Sequence, residues 1–256
     1  MMEKRTTPAD VLRTEVGTLP SADQAHRDIY RDGGYLELNP TWHVEHSPWK
    51  AQQIFKIIQR NRLTPGSICE VGCGAGEVLR VLFELMPSEV SFVGYEVSPQ
   101  AFQLCTQRAG ERLQFHLKDI LQDVDAQFDL LLAIDVCEHV EDCRGFLRQL
   151  RTKGKYKIFH FPLDISVQSV CRMTPILEAR RVLGHLHYFT KETALQTLRD
   201  TGYEVIDFFY TSHAIELPGQ SFKSMAVRPL RRLFYRLAPD LTVRALGGFS
   251  MMILTR

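Results

Sequence analysis

Glu70, Gly72, Gly74 and Gly76 are the residues whose types and spacing most directly specify chemistry. They fall in Ile68-Cys-Glu-Val-Gly-Cys-Gly-Ala-Gly-Glu-Val-Leu79, where an apolar run passes through three glycines into a second apolar stretch. Lacking side chains, the glycines let the backbone turn sharply and present main-chain N–H groups, at the start of a helix, to a ligand. Glu70 narrows the choice of ligand. A carboxylate there repels a pyrophosphate and attracts a molecule carrying an ammonium and a sulfonium. The spacing is G-x-G-x-G, which departs from the G-x-G-x-x-G of dinucleotide loops. Taken alone, the same stretch is also explained as a tight strand-to-helix turn, so residues further along the chain must decide between the two.

Three further features arrive in the order a nucleotide site needs. An apolar run, Val90 to Tyr95, ends in Glu96 and Val97, about twenty residues past the glycines, where an acid that grips ribose hydroxyls is expected. Leu113-Gln-Phe-His-Leu117 reads as a short strand followed by Asp119-Ile120. Phe128 to Ile134 is a near-continuous apolar strand, the kind buried on both faces of a parallel sheet, and Asp135 stands at its carboxyl end. Ligands of open α/β sheets bind at carboxyl ends of strands, so these acids and glycines converge on one crevice. S-adenosylmethionine fits that crevice better than NAD. The sequence resembles the class I S-adenosylmethionine-dependent methyltransferases, whose first motif has this E-V-G-C-G-x-G form.

The resemblance covers roughly Ser47 to Gly202. It implies Glu70, Gly72, Gly74, Gly76, Glu96, Val97, Asp119, Ile120 and Asp135 as the cofactor-binding set, with Asp119 and Ile120 at the adenine. On the acceptor side, Phe159-His-Phe-Pro162 and Gly184-His-Leu-His-Tyr-Phe-Thr190 look like the small-molecule and glycan-modifying branch. The implied reaction is methyl transfer to a small-molecule, glycan or glycolipid acceptor, most simply at a hydroxyl; a quinone or phenol precursor is the alternative acceptor. An NAD-dependent oxidoreductase and a non-catalytic S-adenosylmethionine-binding protein are the alternatives from other classes. His139 is the first candidate to orient or deprotonate a hydroxyl, followed by His160 and His187, although the histidine of a D-x-x-E-H-V pattern often satisfies structural hydrogen bonds. Asp135-x-x-Glu138-His139 also resembles the E-x-x-E-H arrangement of some magnesium-dependent relatives. Asp replaces the first Glu, and a fourth ligand is not assured beyond His160 or His185, so no metal is expected and activity should survive EDTA.

The elements that position these residues are read from pattern. Ser47-Pro48 and Ser98-Pro99 read as N-caps followed by proline in the first turn. The first leads a helix with Ile54, Phe55, Ile57 and Ile58 as its apolar face. Helices are expected over Glu77 to Met86, from about Asp142 to Leu150, and from Thr190, with early Glu192, to Thr201. Strands are expected over Tyr156 to Phe161, Tyr203 to Tyr210 and Gly248 to Leu254. This alternation means a doubly wound, mostly parallel sheet, for which the resemblance implies seven strands in the order 3-2-1-4-5-7-6, the Rossmann-like methyltransferase fold, with the seventh antiparallel. Residues 1–46 form an N-terminal arm or lid and 47–256 the methyltransferase domain, with a helical insertion over 212–247 before the last strand. Asp164 to Arg181 reads as a helical cover interrupted at Pro175.

Within the insertion, a helix starting at Pro229 places Leu230, Leu233, Phe234 and Leu237 on one face, with Arg228, Arg231, Arg232 and Arg236 around it. Such a stripe most often packs on its own domain or on a second subunit. The alternative is contact with an anionic membrane through 228–246. With 256 residues, 45% of them hydrophobic, the chain suits one α/β core. Its net charge of +1 gives no global reason to bind nucleic acid. Met1 to Ala9 carry no signal-length apolar stretch, so a cytoplasmic protein is expected, with the inner face of a membrane as the surface for 228–246. The six cysteines contain no C-x-x-C pair and read as reduced packing residues.

Overall fold

The computed structural model describes residues 29–30, 32–216 and 222–256, with the side chains of 213–214 and 222–227 left out. Of the expected arm, residues 1–28 and 31 lie outside the described residues, as do 217–221 of the insertion. In chain order the main elements are α1 (Gly34–Leu38), α2 (Ser47–Arg60), β1 (Ser67–Val71), α3 (Glu77–Leu85), β2 (Ser91–Glu96), α4 (Pro99–Cys105), β3 (Leu113–Leu117), β4 (Phe128–Ile134) and α5 (Cys143–Leu150). Next come β5 (Gly154–Pro162), α6 (Val167–Arg172), α7 (Thr174–Glu178), α8 (Lys191–Asp200), β6 (Val205–Thr211), α9 (His213–Glu216), α10 (Phe222–Leu237), α11 (Pro239–Leu246) and β7 (Ser250–Thr255). The seven strands lie in the order β3-β2-β1-β4-β5-β7-β6, with β7 antiparallel to both neighbours and the other pairings parallel.

Both faces of the central strands are covered, which is why they read as unbroken apolar runs rather than alternating ones. Cys69, Val71, Leu131, Ala133, Phe159, Phe161, Met251 and Ile253 point into one core. Ile68, Leu130, Leu132, Ile134, Ile158, Met252 and Leu254 point into the other. Leu130 to Ala133 are fully buried, each leucine contributing about 1.5–3 kcal/mol of transfer free energy. The stagger aligns the carboxyl ends: Glu70 is level with Gly94 on one side and Leu132 on the other, so Gly72, Glu96 and Asp135 emerge along one rim.

The two Ser-Pro signals behave differently. Ser98 caps α4, its hydroxyl accepting from the Ala101 N–H at 3.3 Å. Ser47 does not cap α2: a 3-10 turn over Val44–His46 runs straight into the helix and Ser47 already has helical dihedrals. At α8 the capping box is Thr190 with Thr193, while Glu192 pairs with Arg244 at 2.5 Å. The cover over Asp164 to Arg181 breaks at Met173, whose φ is +56°, and Pro175 sits in the first turn of α7. Five of the six cysteines are buried and free; Cys171 is exposed.

The largest correction concerns α10. It begins at Phe222 and runs through Pro229 rather than starting there. An interior proline costs about 3 kcal/mol, which is offset by arginines that turn inward: Arg228 and Arg232 donate to the Ile215 carbonyl, and Arg231 to those of Leu246 and Gly247. The apolar stripe does not pack on the domain. Leu230, Leu233, Phe234 and Leu237 are 53, 52, 49 and 73% exposed. No helix among the described residues is long and apolar enough to cross a membrane.

Candidate functional site

Two clefts meet at Gly72 on the carboxyl rim of the sheet. The smaller, about 350 Å³, is lined by Val97, Lys118, Asp119, Ile120 and Val140 among others. The larger, about 560 Å³, runs from Glu70 and the glycines past Asp135 to a group of histidines and aromatic rings. Their common border is the turn after β1. Gly72 and Cys73 both donate N–H to the Tyr95 carbonyl, at 2.8 and 3.1 Å, and Gly72, Gly74 and Gly76 all have left-handed φ. A Cβ at Gly76 would lie 2.7 Å from the Phe115 ring and 2.8 Å from Cys105 Cβ; one at Gly74 would lie 2.7 Å from the Trp42 indole. These positions exclude side chains by close approach as well as by dihedral.

Glu70 is 3% exposed and its Oε2 has no hydrogen-bond partner among the described residues. Burial pushes its carboxyl well above the usual range, against the opposing pull of Lys50. Glu96 is placed differently from the sequence expectation. Its Oε2 accepts from Gly74 N–H at 2.7 Å, and its Oε1 from Val97 and Ser98 N–H at 2.8 Å each. The carboxylate therefore braces the glycine loop and lines neither cleft, with about one of its roughly four acceptor positions left over. Asp119 accepts from Leu121 N–H at 2.9 Å, and Ile120 is fully buried beneath the smaller cleft.

Asp135 is the first residue past β4 and has φ +54°, a strained conformation for a non-glycine. Lys50 Nζ lies 2.7 Å from its Oδ2 and His160 Nδ1 2.6 Å from its Oδ1. Burial works to raise the Asp135 carboxyl, but His160 and Lys50 outweigh it and hold it well below the usual carboxylate range. The other ring nitrogen of His160 is 2.8 Å from Thr211 Oγ1. Both nitrogens of His160 are thus engaged, and its position fixes Asp135 rather than offering a free base. His187 is likewise corrected: its Nε2 faces the Val140 and Glu141 carbonyls at 2.9 and 3.1 Å, outside the larger cleft.

His139 does line that cleft, with Glu138 and His185. Burial, reinforced by His185, holds its imidazole down to about 4, so the ring is neutral at pH 7. Its Nδ1 is 2.9 Å from the Tyr30 hydroxyl, which donates to the Leu183 carbonyl at 2.7 Å. Tyr35 and Trp42, in edge contact, form part of the cleft wall, as does Phe249. Lys50 and Lys118 carry no motif that marks them in the sequence. Lys50 had a weaker signal: it lies four residues before Ile54 on the buried face of α2, where a charge demands a partner.

The family follows from this arrangement and from direct comparison. A family model described as a methyltransferase domain matches residues 44–207, well over half the chain. The chain belongs to that family, the class I S-adenosylmethionine-dependent methyltransferases. Among solved structures it is similar to magnesium protoporphyrin IX methyltransferase (ChlM) from Synechocystis PCC 6803 with bound SAH. That match has 14% identity, a TM-score of 0.60, and covers 91% of this chain and 98% of that one. It is also similar to the N-methyltransferase NodS from Bradyrhizobium japonicum WM9 in complex with S-adenosyl-L-homocysteine, at 17% identity, a TM-score of 0.52, and 81 and 85% coverage. At these identities the likeness is one of fold. No curated protein sequence matches the chain.

Proposed function

We propose that the chain transfers a methyl group from S-adenosylmethionine to a hydroxyl of a small-molecule, glycan or glycolipid acceptor seated in the larger cleft. The observation that carries this is an orphaned buried acid, Glu70, that shares one cleft with a turn whose glycines leave no room for side chains. A cationic ligand with an N–H to donate supplies the partner that Glu70 Oε2 lacks, so the residues present fit the amino-acid end of an adenosyl sulfonium. In this reading Glu70 and the Gly72–Gly76 turn hold the amino-acid end, and Glu96 serves the cofactor from beneath, by bracing the loop through the Gly74, Val97 and Ser98 N–H groups. Val97, Asp119 and Ile120 hold the adenine in the smaller cleft. Asp135, fixed by Lys50 and His160, shapes the boundary between cofactor and acceptor.

The bound cofactor supplies a methyl group already activated on a sulfonium, so the protein's task is alignment and exclusion of water. Positioning contributes on the order of 7–11 kcal/mol in favourable cases. A histidine held near 4 is a weak base, and we assign His139 to orienting the acceptor oxygen. Tyr30 and residues 32–46 act as a lid, in keeping with Trp42 against Gly74 and Tyr30 against His139.

The acceptor is approached from two observations. Tyr35, Trp42, Trp49 and Phe249 suit the flat faces of a sugar or a phenol ring. The exposed Leu230, Leu233, Phe234, Leu237 and Leu241 suit peripheral contact with a bilayer, bringing the cleft to a lipid-linked acceptor. Incubating cell extract with the protein and methyl-labelled S-adenosylmethionine, followed by mass spectrometry, reads the product. A labelled hydroxyl compound is expected; label confined to protein or nucleic acid refutes the reading. Co-sedimentation with vesicles decides the lipid-linked form, and equal absence from anionic and neutral vesicles removes it.

A further inference from the structure

Glu138 is fully buried, yet neither of its carboxylate oxygens has a hydrogen-bond partner among the described residues. An unpaired buried carboxyl is costly and points to a partner that completes it. Two imidazoles surround it. His139 Nε2 lies 3.8 Å from Glu138 Oε1, beyond hydrogen-bond distance, and the His139 and His185 rings are 5.0 Å apart. One ligand atom each from Glu138, His139 and His185 lie within 4.8 Å of one another.

The outward nitrogens of both rings are occupied. The Tyr30 hydroxyl has one proton and gives it to the Leu183 carbonyl, so its oxygen accepts from His139 Nδ1–H. His185 Nδ1–H donates to Asp164 Oδ2 at 2.8 Å. Each ring is thereby fixed with an Nε2 lone pair to offer. Leu186 and His187 donate their N–H groups to the Glu138 carbonyl at 2.7 and 3.1 Å, tying the His185 segment to the turn that carries Glu138 and His139. Imidazoles oriented from behind by a hydroxyl and a carboxylate, facing an unpaired carboxylate, have the form of metal ligands held by outer partners.

We infer that Glu138, His139 and His185 form a binding site for one divalent first-row transition cation, of the Zn²⁺ or Mn²⁺ type, on the acceptor side of the larger cleft. Two imidazole nitrogens and one carboxylate suit such ions better than Mg²⁺, which prefers carboxylate and water oxygens. The set differs from the Asp135, Glu138 and His139 grouping visible in sequence, because Asp135 is committed to Lys50 and His160 and His185 takes its place. All three side chains line the cleft, so the inference deepens the acceptor reading and rests on it: open positions on the cation would face an acceptor oxygen, and His139 would then orient that oxygen through the cation rather than by a direct hydrogen bond.

The test uses the full chain after chelator treatment, titrated with Co²⁺ and followed by visible absorption, then challenged with Zn²⁺ and Mg²⁺. One Co²⁺ per chain is expected, with absorption bands removed by equimolar Zn²⁺ and retained in equimolar Mg²⁺. Glu138→Gln should weaken Co²⁺ at least tenfold, and Asp164→Ala, which removes the acceptor behind His185, by about 10–100-fold. His46→Ala, in the separate His43, Glu45 and His46 group, should leave it unchanged. Circular dichroism checks folding, and if Glu138→Gln does not fold, Asp164→Ala decides. The inference is overturned by absence of stoichiometric Co²⁺, by displacement with equimolar Mg²⁺, or by binding that Asp164→Ala leaves intact. Titrating the same samples with S-adenosylhomocysteine separates the readings: its binding without Co²⁺ binding refutes the cation site alone, while failure to bind it refutes the methyl-transfer reading.

Discussion

Replacing Glu96 by Gln probes the brace under the cofactor loop without changing side-chain shape. The carboxylate accepts three backbone N–H groups, with Oε2 facing Gly74 and Oε1 facing Val97 and Ser98. Glutamine keeps one acceptor oxygen, which can still serve Val97 and Ser98, but it turns an NH₂ donor toward the Gly74 N–H. One charge-assisted hydrogen bond is lost and two donors face each other, a cost of about 1.5–3 kcal/mol. Part of that cost appears as lower stability, and part as weaker binding, because a loosened loop must be ordered by the ligand. The prediction is a drop in melting temperature of several degrees together with an S-adenosylhomocysteine affinity weakened by about tenfold or more. Calorimetric titration and thermal unfolding read the two parts. Wild-type affinity and wild-type melting temperature in Glu96→Gln would refute the brace.

Lys157 is 4% exposed and burial lowers its ammonium to about 8. Between about pH 8 and the unfolded value near 10.4 the folded state binds fewer protons, so stability rises with pH across that window and the penalty is fully present below it. Lys157→Met should therefore raise the unfolding free energy at pH 7 by an amount on the order of 2–3 kcal/mol, and the advantage should vanish by about pH 11; a pH-independent difference contradicts the assignment. Leu233→Glu with Phe234→Glu should change unfolding free energy by less than about 1 kcal/mol, since both side chains are half exposed; a loss above about 2 kcal/mol in denaturant titration would mean the stripe is packed. Lys50→Met leaves Asp135 with His160 alone and should cost about 2 kcal/mol, between the values for exposed and buried pairs; an unchanged denaturation midpoint would show that the ion pair contributes nothing.

The sheet was legible because burial on both faces writes itself as unbroken apolar runs, as in Phe128 to Ile134, and because left-handed turns select glycine at 72, 74 and 76. The orientation of the histidines was not. His139, His160 and His187 stand in equally suggestive motifs, yet their partners, Tyr30, Thr211 and Val140, lie 109, 51 and 47 residues away, and no local pattern records those contacts. The same holds for Ser47, whose capping signal is overridden by the turn that precedes it, and for α10, where anchoring of three arginines to carbonyls decides which face turns outward. Lys50 was readable in principle as a charge on an apolar stripe; its partner Asp135 was visible only as the end of a strand.

Calorimetric titration of the full chain with S-adenosylhomocysteine and, separately, with NAD tests the central assignment most directly. The crevice built from Glu70 and the glycine turn that Glu96 braces predicts saturable binding of one adenosyl ligand per chain, weakened in Glu70→Ala, and no measurable heat from NAD. Saturable binding of NAD with none for S-adenosylhomocysteine would contradict it.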